Sequence, residues 1–331
     1  MSSTPDFRCP KCKGQVRNAP GAYACDPCGL TFPVLHGVAD FRLRSDKYLT
    51  LEEERAKAAR LFEFGRTHSF DELVDFYYSI TDDVPPELAP VYAGYVREGP
   101  RRAAAILADL GTLPPDARIL DLGCGSAGLS VAAGRDGPAV VGVDIALRWL
   151  VIGARRLEEL GLPANLVCAD AEALPFAPGA FSHVVAADLL ENAYSPEGAI
   201  ESAAAQLRPG GLAWLCASNR WWPGPHPSVG VWAVGYFPPP LRSAVVKALR
   251  GVDSLRNVTL VSAWGVAAAC RRHGLIPERR EPRAIDPGQM DGRGGPARLA
   301  AGIYAGLCNV FGVRQLLFAL GPAFQMTARK I

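Results

Sequence analysis

Four of the chain's nine cysteines fall in two close pairs, Cys9-Pro-Lys-Cys12 and Cys25-Asp-Pro-Cys28. Two residues between thiolates let one tight turn aim both sulfurs at one tetrahedral ion, and two such knuckles complete a four-sulfur shell suited to structural Zn2+. A closed shell leaves no position for water, so the expected role is to stabilise a segment too short to fold on its own core. Gly14 and Gly29, just past the second cysteine of each pair, are expected to supply the positive φ of such turns. Two unrelated turns, a redox pair or iron in place of zinc are the alternatives. His36 is expected to pack or to face a substrate, because four thiolates already satisfy the metal. Cys124, Cys168, Cys216, Cys270 and Cys308 stand singly among apolar neighbours, as packing residues do.

A second constellation lies in Ile119-Leu-Asp121-Leu-Gly123-Cys-Gly125-Ser-Ala-Gly128. Its glycines match G-x-G-x-x-G, in which absent side chains let the backbone turn tightly and approach a ligand at a helix N-terminus. The pattern alone suits a dinucleotide equally well. Two features turn the reading away from one: Asp121 directly precedes the loop, and no second dinucleotide half can be traced upstream. Asp144 closes the next apolar run, where a carboxylate can accept from both ribose hydroxyls. Cys168-Ala-Asp170-Ala171 closes a third, with an acid placed to meet an adenine amino group. Any one acid could be a helix cap. Three acids ending three consecutive strands point together to one ligand, because open α/β sheets bind at their carboxyl ends.

The elements that must position these residues follow from hydrophobic pattern. Short β-branched runs alternate with alanine- and leucine-rich runs after Pro115, which predicts a parallel sheet with crossover helices. Strands are expected at 118–122, 139–144, 165–169, 183–188 and 212–218, with helices beginning near Gly128, Ala146, Pro196 and Ala263. The fold class is therefore α/β, a Rossmann-like and mostly parallel seven-stranded sheet with helices on both faces. To it are added a small zinc ribbon (1–45) and a helical connector (46–115), ahead of a main domain (116–331) with insertions at about 219–262 and 287–320. The connector should hold an acid-first amphipathic helix from Tyr48 to about Arg66, then tyrosine-rich helices (Tyr77, Tyr78, Tyr92, Tyr95) broken at Val84-Pro-Pro that either lid a cofactor or pack as core.

From Asp121 to Ser218 the chain resembles the class I S-adenosylmethionine (SAM)-dependent methyltransferase family, with the parts in that family's order and spacing. The resemblance implies that Asp121, Gly123, Gly125 and Gly128 hold the methionine end, Asp144 the ribose, and Asp170 with Ala171 the adenine, with Asp188 ending the fourth strand beside the cofactor. Many small-molecule members carry a Leu-Glu-His-like stretch after that strand; here it is Leu190-Glu191-Asn192, without the imidazole. The Asn-Pro-Pro-Tyr type signature of exocyclic base-nitrogen methylation is absent. Thr31–Phe41, after the cysteines, resembles the tail of the zinc modules of tRNA-methyltransferase activator proteins, and Pro322–Arg329 resembles the family's last strand.

SAM carries its own leaving group, so a base is optional; Asp188, Glu191 and His226 are the candidate catalytic residues. Residues 219–240 gather Trp221, Trp222, Trp232, Tyr236 and Phe237 among prolines, a candidate wall for an apolar or sugar-like acceptor. The apolar run 299–320 is interrupted by Arg314 and three glycines, which favours a buried or membrane-surface helix over a span. A formal charge of +2 gives no global drive toward nucleic acid. The expected partner is thus a small-molecule acceptor, hydrophobic in character, with peripheral membrane contact. The alternatives are rRNA or tRNA methylation, for which Arg8, Lys11, Lys13 and Arg17 start a basic surface on the ribbon, and a non-catalytic docking protein. The opening residues lack a secretory signal, so a cytoplasmic location is expected.

Overall fold

The computed structural model describes residues 6–81, 84, 88–251, 253–283 and 295–331. Pro85 and Pro86 of the expected break, and 287–294 of the expected second insertion, lie outside these. The chain forms two compact units, the first of residues 1–185 with 205–211, the second of 186–204 with 212–331.

The first unit opens with three short antiparallel strands, β1 (Arg17–Ala19), β2 (Ala22–Cys25) and β3 (Leu30–Leu35), which return through β4 (Val38–Asp40). Four helices follow: α1 (Leu51–Gly65), α2 (Phe70–Ser79), α3 (Ala89–Arg97) and α4 (Gly99–Asp109). Then come β5 (Arg118–Leu122), α5 (Gly128–Ala133), β6 (Ala139–Asp144), α6 (Leu147–Glu159), β7 (Leu166–Cys168) and β8 (Phe181–Ala187). Here the strand order is β1-β2-β3-β4-β7-β6-β5-β8. The ribbon is therefore part of the sheet, which with it has eleven strands and not the seven expected: β4 runs parallel to β7, with Ala39 opposite Val167 and Asp40 opposite Cys168.

The sequence explains the connector helices. Thr50 and Ser69 each accept from the amide three residues on, and Glu53 and Glu72 return the contact, two capping boxes that start α1 and α2. One face of each then packs on α6. Ala58, Leu61, Leu73, Val74 and Tyr77 share a buried core with Leu147, Leu150 and Val151. Tyr77 is thus core, its ring 4.5 Å from that of Trp149, whereas Tyr92 and Tyr95 are exposed.

In the second unit lie most of α7 (Pro196–Gln206) and of β9 (Leu207–Ser218), then α8 (Pro239–Arg250), α9 (Ala263–Arg272), β10 (Leu275–Pro282), α10 (Gly295–Leu307), α11 (Val313–Leu320) and β11 (Ala323–Lys330). β11 pairs antiparallel with both β9 and β10. β5 and β6 fall where expected; β8 starts earlier, at Phe181, and β9 starts at Leu207, five residues ahead of the expected 212. The apolar run 299–320 resolves into two helices separated near Gly312 (φ +85°). Among the described residues no helix is long and apolar enough to cross a membrane.

Candidate functional site

At the ribbon, the Cys9, Cys12, Cys25 and Cys28 sulfurs all lie within 4.8 Å of one another. Cys9 to Cys28 is 3.9 Å and Cys12 to Cys25 3.5 Å. A zinc tetrahedron with ~2.3 Å bonds has edges of about 3.8 Å, so the four residues fit the ion. The first knuckle is closed by Cys9 N donating to Gly14 O and Lys13 N to Cys9 O, both 2.8 Å. Gly29 has the positive φ (+63°), but in the first knuckle that conformation falls on Lys13 (+60°) and not on Gly14. Gly14 serves by lacking a Cβ, which would stand 3.3 Å from the Cys12 sulfur.

Also in the first unit, Asp121, Asp144 and Asp170 stand at or just past the ends of β5, β6 and β7. Asp121 is 6% exposed, and no donor or cation among the described residues pairs with its carboxylate. Burial, reinforced by the Asp144 charge, pushes it up to about 7. Asp144 is also raised by burial, while amide bonds from Ala146 (2.8 Å) and Gly125 (3.0 Å) oppose the shift. These bonds seat the carboxylate between the glycine loop and the start of α6, with lone pairs left for ribose hydroxyls. Asp170 accepts from Glu172 N (2.9 Å) and pairs with Arg44 (2.5 Å); Ala171 follows, half-buried.

Gly123 (φ +75°) and Gly125 (φ +49°) make the turn that only glycine adopts readily. Gly128 has a second reason to be small. A Cβ there would lie 3.0–3.3 Å from the backbone of Gly99, where α4 and α5 begin against each other.

Sequence reasoning missed the segment that leaves the ribbon. Asp40 and Arg42 form a buried two-pronged pair (2.8 and 2.9 Å), and Arg42 also donates to Ile145 O (3.1 Å). Arg44 reaches both Asp170 and Glu172 (2.8 Å). Asp46 and the fully buried Glu54 both engage Arg148. The alternation Asp40, Arg42, Arg44, Asp46 is a strand-period charge pattern that could have drawn attention.

In the second unit, Asp188 follows β8 at φ +54°, a conformation that Asp tolerates better than most residues. It pairs with Arg283. Glu191 is 3% exposed; one oxygen accepts from Ser218 N (3.2 Å) and the other, Oε2, has no partner. Burial, then the Asp188 charge, pushes it up to about 7. His226 is 1% exposed, accepts from Ser228 N through Nδ1 (3.3 Å), and leaves Nε2 without a partner; burial lowers it to about 4. The Ser218 and Ser228 hydroxyls, 3.1 Å apart, link the two neighbourhoods. The aromatic segment is partly self-packed, since Tyr236 donates to Trp221 O and the two rings are 5.3 Å apart. Trp232 is 69% exposed.

Strands whose ends carry a glycine loop and three acids define the Rossmann-like class of proteins that hold a nucleoside cofactor. The comparisons narrow this. Residues 120–215 match the family described as Methyltransferase domain, so the chain carries a class I SAM-dependent methyltransferase domain. It is 32% identical over 133 residues, 40% of this chain and 52% of the relative, to a ubiquinone biosynthesis O-methyltransferase of Parvibaculum lavamentivorans (strain DS-1). A protein of the same name from Chromobacterium violaceum is 31% identical over 104 residues, covering 31% of this chain and 45% of its own. The chain thus spans about half the length of the curated relatives it matches. The fold is similar to that of a geranyl diphosphate methyltransferase in complex with GPP and sinefungin, with a TM-score of 0.50, 18% identity and coverage of 83% of this chain and 100% of that one.

Proposed function

We propose that the protein transfers the methyl group of SAM to a small-molecule acceptor of apolar character. The observation that carries the cofactor reading is Asp121: a buried carboxylate without a cation, beside a second carboxylate and a glycine loop. The α-ammonium of the methionine moiety supplies the missing charge. Asp144 would take the ribose hydroxyls, Asp170 the adenine amino group, and SAM when bound supplies the activated methyl. Removal of a proton from the acceptor falls to Glu191, whose carboxyl is poised near neutrality and whose free oxygen can accept, or to the neutral His226 Nε2; Asp188 would orient the acceptor. The names of the matched relatives support a small-molecule acceptor.

The expected membrane contact has its support in α10 and in the turn that leads to α11. Leu299, Ile303 and Phe311 are exposed by 67, 56 and 91%. Residues 292–331 contain no Asp or Glu, a composition that suits an anionic bilayer. Co-sedimentation with anionic but not neutral vesicles, lost in Phe311→Ser, is the expected result; equal recovery without lipid would count against it.

Calorimetry with S-adenosylhomocysteine tests the core reading. Micromolar binding is expected, with no heat from a nicotinamide dinucleotide. Binding of the dinucleotide instead would overturn it.

A further inference from the structure

We infer that the zinc ribbon clamps the adenine side of the cofactor site, so that zinc occupancy and SAM affinity are thermodynamically linked. The inference rests on the SAM reading above and on contacts within the first unit alone. The residues around the first knuckle grip the loop that follows Asp170. Arg8 N donates to Pro175 O (2.8 Å) and Lys13 Nζ to Leu174 O (3.2 Å). Phe7 forms an isolated antiparallel bridge with Phe176. The Phe7 ring lies 4.8 Å from that of Phe41 and 5.9 Å from that of Phe176, and Phe41 and Phe176 are fully buried. Phe7, Arg8 and Lys13 flank Cys9 and Cys12, so the metal that fixes those sulfurs also fixes the grip.

The exit of the ribbon grips the same site from the other end. Phe41 N donates to Cys168 O (2.7 Å), Arg42 donates to Ile145 O beside the ribose acid, and Arg44 forms ion pairs with Asp170 and Glu172. A carboxylate has about four lone-pair directions, so Asp170 keeps one for an adenine amino group while Arg44 and the Glu172 amide fix its orientation. Arg44, half-exposed and distant from the sulfurs in sequence, is thus a positioning residue. Zinc removal frees residues 7–13, the 174–176 loop loosens, and SAM must then order that loop as it binds. Linkage is reciprocal: bound cofactor must hold the zinc more tightly by the same factor.

The test measures S-adenosylhomocysteine binding by the full chain, zinc-loaded and chelated, with metal content and circular dichroism recorded. Kd is expected to rise at least tenfold on zinc removal and to recover on adding Zn2+. Saturating S-adenosylhomocysteine should reduce zinc extraction by a chromophoric chelator by a matching factor. Arg44→Ala should keep its zinc, weaken binding several-fold and shrink the coupling factor, with partial rescue by Arg44→Lys. An unchanged Kd in folded, zinc-free protein overturns the inference. Should the zinc-free chain unfold, an Arg44→Ala protein with wild-type Kd and coupling overturns it instead. No binding by zinc-loaded protein sinks the SAM reading, and this inference with it.

Discussion

Asp121 is held up to about 7 in the folded chain, against about 4 for an unfolded aspartate. The folded state therefore binds the proton more tightly, and this group's contribution to stability is fully present below about pH 4 and lost as pH rises through 7. Asp121→Asn removes that loss. The variant should be more stable than the parent at pH 8 by on the order of a few kcal/mol, the gap closing toward pH 4 in urea melts. It should also bind S-adenosylhomocysteine at least tenfold more weakly, the mark of a carboxylate kept for function against stability. Equal stability at pH 8 would refute the penalty. Glu191, also up to about 7, makes a kinetic prediction of the same kind. If it takes the acceptor's proton, kcat should rise with pH through about 7. Glu191→Gln should abolish that limb and lower kcat by about 10²-fold or more while the cofactor Kd stays constant. A Gln variant with the parent's pH profile would remove Glu191 from the chemistry.

Gly128 belongs to the cofactor glycine pattern, yet its closest constraint is the backbone of Gly99. Gly128→Ala drives α4 and α5 apart, and a destabilisation of about 1–3 kcal/mol is expected from such overpacking, measured by denaturant melts. A wild-type midpoint would mean that α4 yields freely. Other elements show how far local pattern reaches. β5 and β6 were legible to the residue because each is an apolar run closed by an acid before a turn. The early start of β9 was not, since Leu207-Arg-Pro-Gly-Gly has turn chemistry. α8 was missed inside an expected insertion, although Pro239 and Pro240 at its first turn and Gly251 at φ +76° after its end are ordinary helix signals. The three acids and four cysteines were legible because spacing carries them. The grip of Arg42 and Arg44 joins residues more than a hundred positions apart, and no local periodicity records such a pairing.

A small acceptor and RNA make opposite demands on the charge of the protein surface. A formal charge of +2 leaves RNA binding to depend on a local patch, and the ribbon's Arg8, Lys11, Lys13 and Arg17 were its candidate. The fold engages half of it elsewhere. Arg17 pairs with Asp26 at 3.0 Å, and Lys13 donates its ammonium to Leu174 O, where burial also lowers its pKa. Two strong phosphate contacts remain at most from this set, and each contributes roughly −0.7 to the salt slope on a single strand. Filter binding of unmodified tRNA should accordingly show a slope no steeper than about −1.5 and a Kd no tighter than the non-specific range, about 10⁻⁶ M, near physiological salt. Lys11→Glu should then leave methyl transfer to the true acceptor unchanged. A slope several times steeper, with turnover lost in Lys11→Glu, would transfer the ribbon from the cofactor to the substrate and make RNA the acceptor.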